Sequence, residues 1–299
     1  MAEHLDAFRR MPALVTSVGL FKPDPADSFT YPDHIDPDSL AALPSAPGVY
    51  IFLDERERPL YIGKSVNVRS RVLSHLRTPE EARMLQQTRR IDFHRTAGEI
   101  GALLLESRLI KDRQPVHNKK LRRAREMCAL RIANGVPEIV HARDHDFASE
   151  HGLYGLFGTR RAALERLRRL VEEQRLCPVL CGVEPAPKAG RACFACQVGR
   201  CAGACVGRES RDAHARRLAG ALEDLRIVTW PFPGPVGIIE RCEGWRQMHV
   251  VDRWFYLGTV DQPRRMRAPA QKGRPRFDVD TYSILVRPLL LGELELRML

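Results

Sequence analysis

Residues 48–65 read GVYIFLDERERPLYIGKS, and this stretch decides the fold of the amino-terminal part of the chain. β-Branched and aromatic residues flank a charged run at 54–58, which predicts two strands joined by a turn. Because side chains alternate between the faces of a strand, we expect Tyr50 and Tyr61 to share one face, close to Gly63 and Lys64. In most hairpins such a pair belongs to an ordinary core. The other face is expected to carry Val49, Ile51, Leu60 and Ile62.

The segments after the hairpin alternate between helical and strand patterns. Val68, Val72 and Leu76 recur at helical spacing, and residues 78–81 match a capping box that opens a second helix ending near residue 88. Residues 90–94 predict a third strand. A second capping box at 96–99 opens a helix that should stop before residues 114–115, Gln-Pro. The predicted fold class is α+β, with a small antiparallel sheet flanked by helices.

Two sets of polar residues lie on these helices. Asn67, Arg71 and His75 recur every fourth residue and form one strip, which in many helices is simply a solvated face. Glu106 is different, because its helical neighbours three and four residues away are all apolar. An unpaired buried carboxylate is costly, so this acid requires a proton, an arginine partner or a metal ion. Those neighbours are Ala102, Leu103, Leu109 and Ile110.

The charge balance indicates a polyanionic partner. The 299 residues include 48 Lys+Arg and 37 Asp+Glu, a net charge of +11, and 44% are hydrophobic, which is enough for two or three compact domains. This composition excludes a disordered chain, and the basic surplus favours nucleic acid. Part of the surplus follows Asn118 directly, where the candidates for phosphate contacts are Lys119, Lys120, Arg122 and Arg123.

Eight cysteines, most of them clustered, favour a metal site. No run approaches the ~18 apolar residues of a membrane span, and the first residues do not resemble a signal peptide, so we expect a cytoplasmic protein. In that reducing compartment clustered cysteines are more often metal ligands than disulfides. Four thiolates suit Zn²⁺ or an iron–sulfur cluster, and free structural cysteines are the alternative. The spacing Cys-x7-Cys-x3-Cys gives Cys193, Cys201 and Cys205, and the fourth ligand must come from Cys177, Cys181 or Cys196.

The hairpin, the helix that follows it and residues 98–118, GEIGALLLESRLIKDRQPVHN, together resemble the GIY-YIG nuclease family. Within that family residues 44–120 are similar to the amino-terminal part of UvrC. The cysteine-rich stretch extends the resemblance to the shorter UvrC homologues, since the chain has no room for the second UvrC nuclease domain. Two positions depart from the pattern. Val49 replaces an isoleucine, and His75 stands where UvrC-type domains usually carry a tyrosine.

The resemblance implies hydrolysis of a DNA phosphodiester with one divalent cation, Mg²⁺ or Mn²⁺, held by Glu106. Arg71 would stabilise phosphate charge. Tyr61 would act as the general base, with the nearby Lys64 ammonium lowering its pKa, and His75 competes for that role because its ordinary pKa is about 6.5. The implied catalytic set is Tyr50, Tyr61, Lys64, Arg71, His75, Glu106 and Asn118.

The same resemblance extends to the metal cluster and the partners. It implies a [4Fe–4S] cluster, with Zn²⁺ as the alternative, on Cys177, Cys193, Cys201 and Cys205, and with Cys181 in reserve. The implied reaction is a single-strand incision on the 3′ side of a bulky lesion, in duplex DNA that UvrA has loaded with UvrB. Aromatic residues at 245 and 254–256 could stack on bases, although such residues are more often strand core.

Two other functions remain open at this point. A metal-stabilised DNA-binding protein with a degenerate nuclease site would bind DNA without cutting it. A stand-alone GIY-YIG nuclease would cut undamaged DNA. The predicted organisation is a tail (1–40), the GIY-YIG endonuclease domain (41–124), a hairpin and helix connector (125–172), a cysteine-rich segment (173–210) and a smaller α+β carboxy-terminal domain (211–299).

Overall fold

The computed structural model describes residues 32–118, 127–188, 190–261 and 276–299. They divide into two compact units. The larger combines 32–118 with 234–261 and 280–299, and the smaller holds 127–188, 190–233 and 276–279. Among the described residues, none of the helices has the length and apolar character that crossing a membrane requires.

The amino-terminal part of the larger unit is a three-stranded antiparallel sheet with helices on both faces. The sheet order is β2-β1-β3, so the first strand of the hairpin is central. This confirms the predicted α+β class. The elements are α1 (Pro37–Ala41), β1 (Gly48–Leu53), β2 (Pro59–Ser65), α2 (Val68–Leu76), a 3-10 turn (Pro79–Glu81), α3 (Ala82–Gln87), β3 (Arg90–Arg95) and α4 (Glu99–Arg113).

The register of the hairpin places the two tyrosines on one face. Tyr50 lies opposite Gly63 and Phe52 lies opposite Tyr61, so the two phenols are diagonal neighbours. Val49, Ile51 and Ile62 pack on the other face against α4, as predicted. Leu60 does not, and that prediction is wrong. A bulge next to the turn of the hairpin pairs Leu53 with Pro59, which breaks the alternation, and Leu60 packs in the cluster that contains Tyr50.

The helix bounds are confirmed, but their predicted caps are not. Helix α4 ends at Arg113, followed by Gln114 in the left-handed conformation. Gly98 occupies the N-cap position and offers no side chain, while the Thr96 hydroxyl donates to the Gly98 carbonyl. Residues 79–81 form a 3-10 turn before α3, and the side chain of Thr78 does not cap it. Both capping boxes are therefore wrong.

The smaller unit contains a second three-stranded sheet, of order β5-β4-β6, and the cysteine-rich segment. Helix α7 packs into this unit through Leu218 and Leu222, although the domain prediction groups it with the carboxy-terminal strands. The cysteine-rich segment has a single four-residue helix and a 3-10 turn at 204–206. The elements are β4 (Cys128–Ala133), β5 (Val136–His141), β6 (Leu153–Phe157), α5 (Arg160–Glu173), α6 (Phe194–Gln197) and α7 (Arg211–Leu222).

The carboxy-terminal part of the larger unit is a four-stranded antiparallel sheet of order β10-β7-β8-β9. Trp254 is fully buried and packs edge-on against Tyr282, at 5.0 Å between ring centroids, so it belongs to the core rather than to a stacking surface. The elements are β7 (Val236–Cys242), β8 (Trp245–Asp252), β9 (Phe255–Val260), α8 (Val279–Leu290) and β10 (Glu295–Met298).

Candidate active site

The site is built around the hydroxyl of Tyr50, which crosses the hairpin at Gly63. Tyr50 is buried, and its ring centroid lies 6.2 Å from that of Tyr61. A Cβ atom at Gly63 would lie 2.3 Å from the Tyr50 hydroxyl oxygen and 2.9 Å from the Tyr61 ring. Any larger residue would displace both phenols. Glycine is therefore required at position 63, in the Tyr61-Ile62-Gly63 motif, because a side chain there would collide with both tyrosines.

His75 connects Tyr50 to an acid that the sequence did not single out. Its Nε2 lies 2.7 Å from the Tyr50 hydroxyl, and its Nδ1 bonds to the Glu81 carboxylate. Because a carboxylate accepts, Nδ1 carries the proton, and Nε2 accepts from the hydroxyl. Burial lowers the pKa of His75 more than Glu81 raises it. The result is a hydrogen-bonded Tyr50–His75–Glu81 chain, in which the phenol and the imidazole are buried and the carboxylate forms the half-buried outer end.

Tyr61 is the more accessible of the two phenols. It is half-buried, and burial raises its pKa, as does the charge of Glu106, whereas Arg71 lowers it. Arg71 is exposed on α2, one turn before His75. The Lys64 ammonium, which was expected to act on Tyr61, donates instead to Glu99 at 2.5 Å. Arg71 is therefore the cation that favours a Tyr61 phenolate.

Glu106 lies on α4 and contacts β2 at Lys64, directly after Tyr61-Ile62-Gly63. Its Oε1 accepts the backbone N–H of Lys64 at 3.1 Å, and the side chain is half-buried between helix and sheet. Burial raises its pKa to about 7, against the opposing effect of Lys64. A carboxylate whose charge is this poorly solvated gains from a bound cation, and hard oxygen suits Mg²⁺ or Mn²⁺. Glu106 therefore fits the expected divalent cation.

Asn118 binds the backbone of β2 rather than pointing at a reacting group. Its side-chain oxygen accepts from Ile62 N–H at 2.8 Å, and its amide donates to the Ile62 carbonyl at 2.7 Å. This two-point clamp holds the strand between Tyr61 and Gly63. The basic residues that follow, Lys119, Lys120, Arg122 and Arg123, lie outside the described residues.

The cysteine-rich segment brings three predicted ligands together. The sulfur atoms of Cys177, Cys193 and Cys205 lie within 4.8 Å of one another, so this triad could hold a metal ion. The Cys201 sulfur is 3.9 Å from that of Cys193 and accepts the N–H of Gly203 at 3.2 Å. The Cys193 N–H donates to the Cys205 sulfur at 3.5 Å. Backbone donors aimed at sulfur are typical of thiolates that bind metals.

The reserve ligand, Cys181, lies in a different environment. It packs in the apolar cluster of the smaller unit with Leu176 and Leu218, and its sulfur is 3.9 Å from Nε2 of His214. Burial raises the pKa of its thiol to about 12. Cys196 was the remaining candidate for the fourth ligand, and its sulfur atom lies 3.8 Å from a guanidinium nitrogen of Arg208.

Comparison with known proteins agrees with this arrangement over most of the chain. Three family models match in succession: the UvrC-like GIY-YIG domain (residues 46–119), the UvrC/Cho excinuclease middle domain (127–224) and the excinuclease Cho C-terminal domain (235–299). Excinuclease cho from Escherichia coli K12 is 50% identical over 273 residues, which cover 90% of each chain. The chain belongs to the excinuclease Cho family.

Membership of the Cho family confirms that the chain is a DNA endonuclease of the GIY-YIG type. The UvrABC system protein C of Dictyoglomus thermophilum is 31% identical over 61% of this chain and 31% of that protein. A crystal structure of the GIY-YIG domain of Thermotoga maritima UvrC, bound to magnesium, is 31% identical. It covers 27% of this chain and 92% of that one, with a TM-score of 0.25.

Sequence reasoning missed two acids of this Cho-family site. Glu81 completes the chain through His75, and Glu99 pairs with Lys64. Both were assigned to capping boxes, where an acid at the third helical position has a sufficient local explanation. A histidine that replaces tyrosine needs a partner for its second nitrogen, and that requirement was the available signal for Glu81.

Proposed function

We propose that this Cho-family chain makes a single-strand incision on the 3′ side of a bulky DNA lesion, after UvrA has loaded UvrB at the damage. Family membership supports excision repair, and the net charge of +11 suits a nucleic-acid substrate. The observation that carries the proposal is the position of Glu106, whose half-buried carboxylate accepts the Lys64 N–H and lies within the electrostatic reach of both phenols. Its carboxylate would hold the divalent cation.

The cation would supply Lewis-acid stabilisation of the phosphate charge. The residues of the chain position the reactants around it. Arg71 is an exposed residue close to both phenols, and its guanidinium can bind two phosphate oxygens at once, which an ammonium cannot do. The basic residues Lys119, Lys120, Arg122 and Arg123 remain the proposed contacts to the flanking DNA backbone.

Tyr61 is the proposed general base toward the attacking water. Its hydroxyl belongs to the more exposed phenol, and neutralising the charge of Glu106 would remove one of the three causes that raise its pKa, the others being burial and the charge of Glu81. His75 is unsuitable for this role, because it is buried and both ring nitrogens are bonded. We assign His75 and Glu81 to positioning Tyr50, which lies against Tyr61.

The decisive experiment is incision of a duplex that carries one bulky adduct, with and without UvrA and UvrB. Glu106→Gln keeps the shape of the side chain and removes its charge, so we expect at least a ~100-fold loss of Mg²⁺-dependent incision. Asp112→Asn is the matched control. Asp112 lies on the same helix, is exposed and pairs only loosely with Arg108, at 3.6 Å. The control should cut like the unmodified chain.

The same assay separates the alternatives. Cutting of undamaged duplex without UvrB would identify a stand-alone nuclease. Damage-independent binding without cutting would identify a degenerate site. Incision that is unaffected by Glu106→Gln would contradict the proposed role of this carboxylate.

We also propose that Cys177, Cys193, Cys201 and Cys205 hold a [4Fe–4S] cluster. The sulfur geometry and the N–H groups aimed at Cys201 and Cys205 support the set. Protein purified without oxygen should be brown and contain iron and sulfide. Cys201→Ser should lose the iron, whereas Cys181→Ala should keep it. Stoichiometric zinc in place of iron would replace this proposal with the Zn²⁺ alternative.

A further inference from the structure

A carboxylate from the carboxy-terminal sheet caps the helix that carries Glu106. The side chain of Glu240, at the end of the apolar run of β7, accepts the N–H of Ile100 at 2.9 Å and that of Gly101 at 2.7 Å. These are first-turn donors of α4, which have no partner within the helix. A negative charge at this end also complements the helix dipole.

Other groups of the same sheet hold Glu240 in place. His249 is fully buried on β8 and bonds to the second Glu240 oxygen at 2.9 Å, and its other ring nitrogen lies 2.7 Å from the Thr259 hydroxyl. Gln247, also on β8, accepts the N–H of Ala97 at 2.8 Å. Three backbone N–H groups within residues 97–101 thus bond to two strands that are about 140 to 150 residues away in sequence.

Gly98, just before α4, and Gly101, in its first turn, leave the space that Glu240 and His249 occupy. A Cβ atom at Gly98 would lie 2.2 Å from a Glu240 oxygen, and one at Gly101 would lie 2.4 Å from the His249 ring. Gly101 has helical geometry and no positive φ, so alanine is conformationally acceptable there. Glycine at position 101 is therefore explained by the close approach of the His249 ring, which a side chain would block.

The carboxy-terminal part contacts α4 again at its far end. Lys111 pairs with Asp280 of α8 at 2.6 Å, and Arg108 approaches the Leu257 carbonyl at 3.5 Å. Ile110 and Leu109 pack on the opposite side against the nuclease sheet. The helix is therefore held between two sheets, with Glu106 bonded to the Lys64 backbone on the nuclease side.

We propose that Glu240, supported by His249, is a positioning residue for the nuclease site. By fixing the first turn of α4, Glu240 sets the position of that helix relative to β2, and with it the position of the Glu106 carboxylate beside Lys64. The carboxy-terminal domain is then part of the incision machinery. This inference rests on the proposed function of Glu106.

Two substitutions, one from each side of the contact, test the proposal. Glu240→Gln replaces one acceptor oxygen with an NH2 donor, which in either orientation of the amide opposes the N–H of Ile100 or that of Gly101. Gly101→Ala adds a methyl group against His249. In both we expect a rise of about tenfold or more in the Mg²⁺ concentration for half-maximal incision, and faster amide hydrogen exchange at residues 99–103. Glu243→Gln is the control, since Glu243 lies in the turn between β7 and β8 and pairs with exposed Arg95 at 3.4 Å.

The two readouts separate the possible failures. If the unmodified chain does not incise damaged DNA, the proposed function fails, and hydrogen exchange still tests the cap. If Glu240→Gln and Gly101→Ala open the first turn but leave the Mg²⁺ requirement unchanged, the positioning role is overturned. Unchanged exchange in both would overturn the cap itself. If Glu240→Gln does not fold, Gly101→Ala decides, because alanine otherwise favours a helix over glycine.

Discussion

At the scale of single residues, His75 changes how the phenols are held. A tyrosine at this position could offer one hydroxyl, whereas imidazole offers an acceptor to Tyr50 and a donor to Glu81 at the same time. The proton on Nδ1 is fixed by the carboxylate, so the acceptor always faces Tyr50. The Tyr50 hydroxyl is thereby oriented without being exposed to solvent.

This arrangement predicts that one substitution mainly lowers incision and that another mainly lowers stability. Tyr61→Phe removes a half-exposed hydroxyl and should change the free energy of unfolding by less than about 1 kcal/mol, while lowering incision by at least ~100-fold. His75→Ala leaves a cavity and an unsatisfied Tyr50 hydroxyl, so it should cost about 2–4 kcal/mol of stability. Urea denaturation and incision of damaged duplex measure the two effects.

The control for this pair is Tyr154→Phe, which removes a phenol hydroxyl in β6 of the smaller unit and should leave incision unchanged. Near-full incision by Tyr61→Phe, together with complete loss in a folded His75→Ala protein, would reverse the assignment and make His75 the base.

At the scale of elements, α4 combines a local pattern with a cap from far away in sequence. Burial alone would raise the pKa of Glu240, but the hydrogen bonds from His249, Gly101 and Ile100 outweigh it and lower the pKa below its ordinary value. The carboxylate is thus held ionised at the helix terminus. A charge in this position contributes about 1–2 kcal/mol when it is partly buried.

The stability difference between the unmodified chain and Glu240→Gln should therefore depend on pH. A lowered folded-state pKa stabilises the protein above the unfolded value of about 4.5, and that contribution disappears as pH falls through the folded pKa. We expect the full difference at pH 7 and a shrinking difference below about pH 4.5, measured by thermal unfolding. His249 is the other titratable group that faces this carboxylate, so the comparison is repeated in His249→Gln. A difference that grows on acidification would contradict the assignment.

At the scale of the whole molecule, two units are stabilised by different means. The larger has two sheets with apolar faces, to which the nuclease part and the carboxy-terminal part both contribute. In the smaller unit, the segment from Cys177 to Cys205 has little secondary structure and packs around sulfur atoms. Such a segment would depend on the proposed metal for its order.

Removal of the metal should consequently affect one unit more than the other. After chelation or oxidative loss of the cluster, limited proteolysis should cut first between residues 177 and 208, while residues 32–118 stay protected. Mass spectrometry of the fragments identifies the cut sites. Cleavage within the nuclease sheet before the cysteine-rich segment would contradict this assignment, and the metal-loaded chain provides the control.

Local sequence patterns predict most of the secondary structure around the site and the candidate site residues. The hairpin, the bounds of α4, and the grouping of Tyr50, Tyr61, Arg71 and Glu106 follow from alternation, helical spacing and the family motifs, all of which act over a few residues. Only the tertiary structure shows which groups bond to those residues and hold them in place. Glu81 bonds to His75, Asn118 clamps Ile62, Lys64 pairs with Glu99, and Glu240 caps α4. The physical reason is that an unsatisfied polar group can be recognised locally, but its partner is chosen by packing between segments that are distant in sequence.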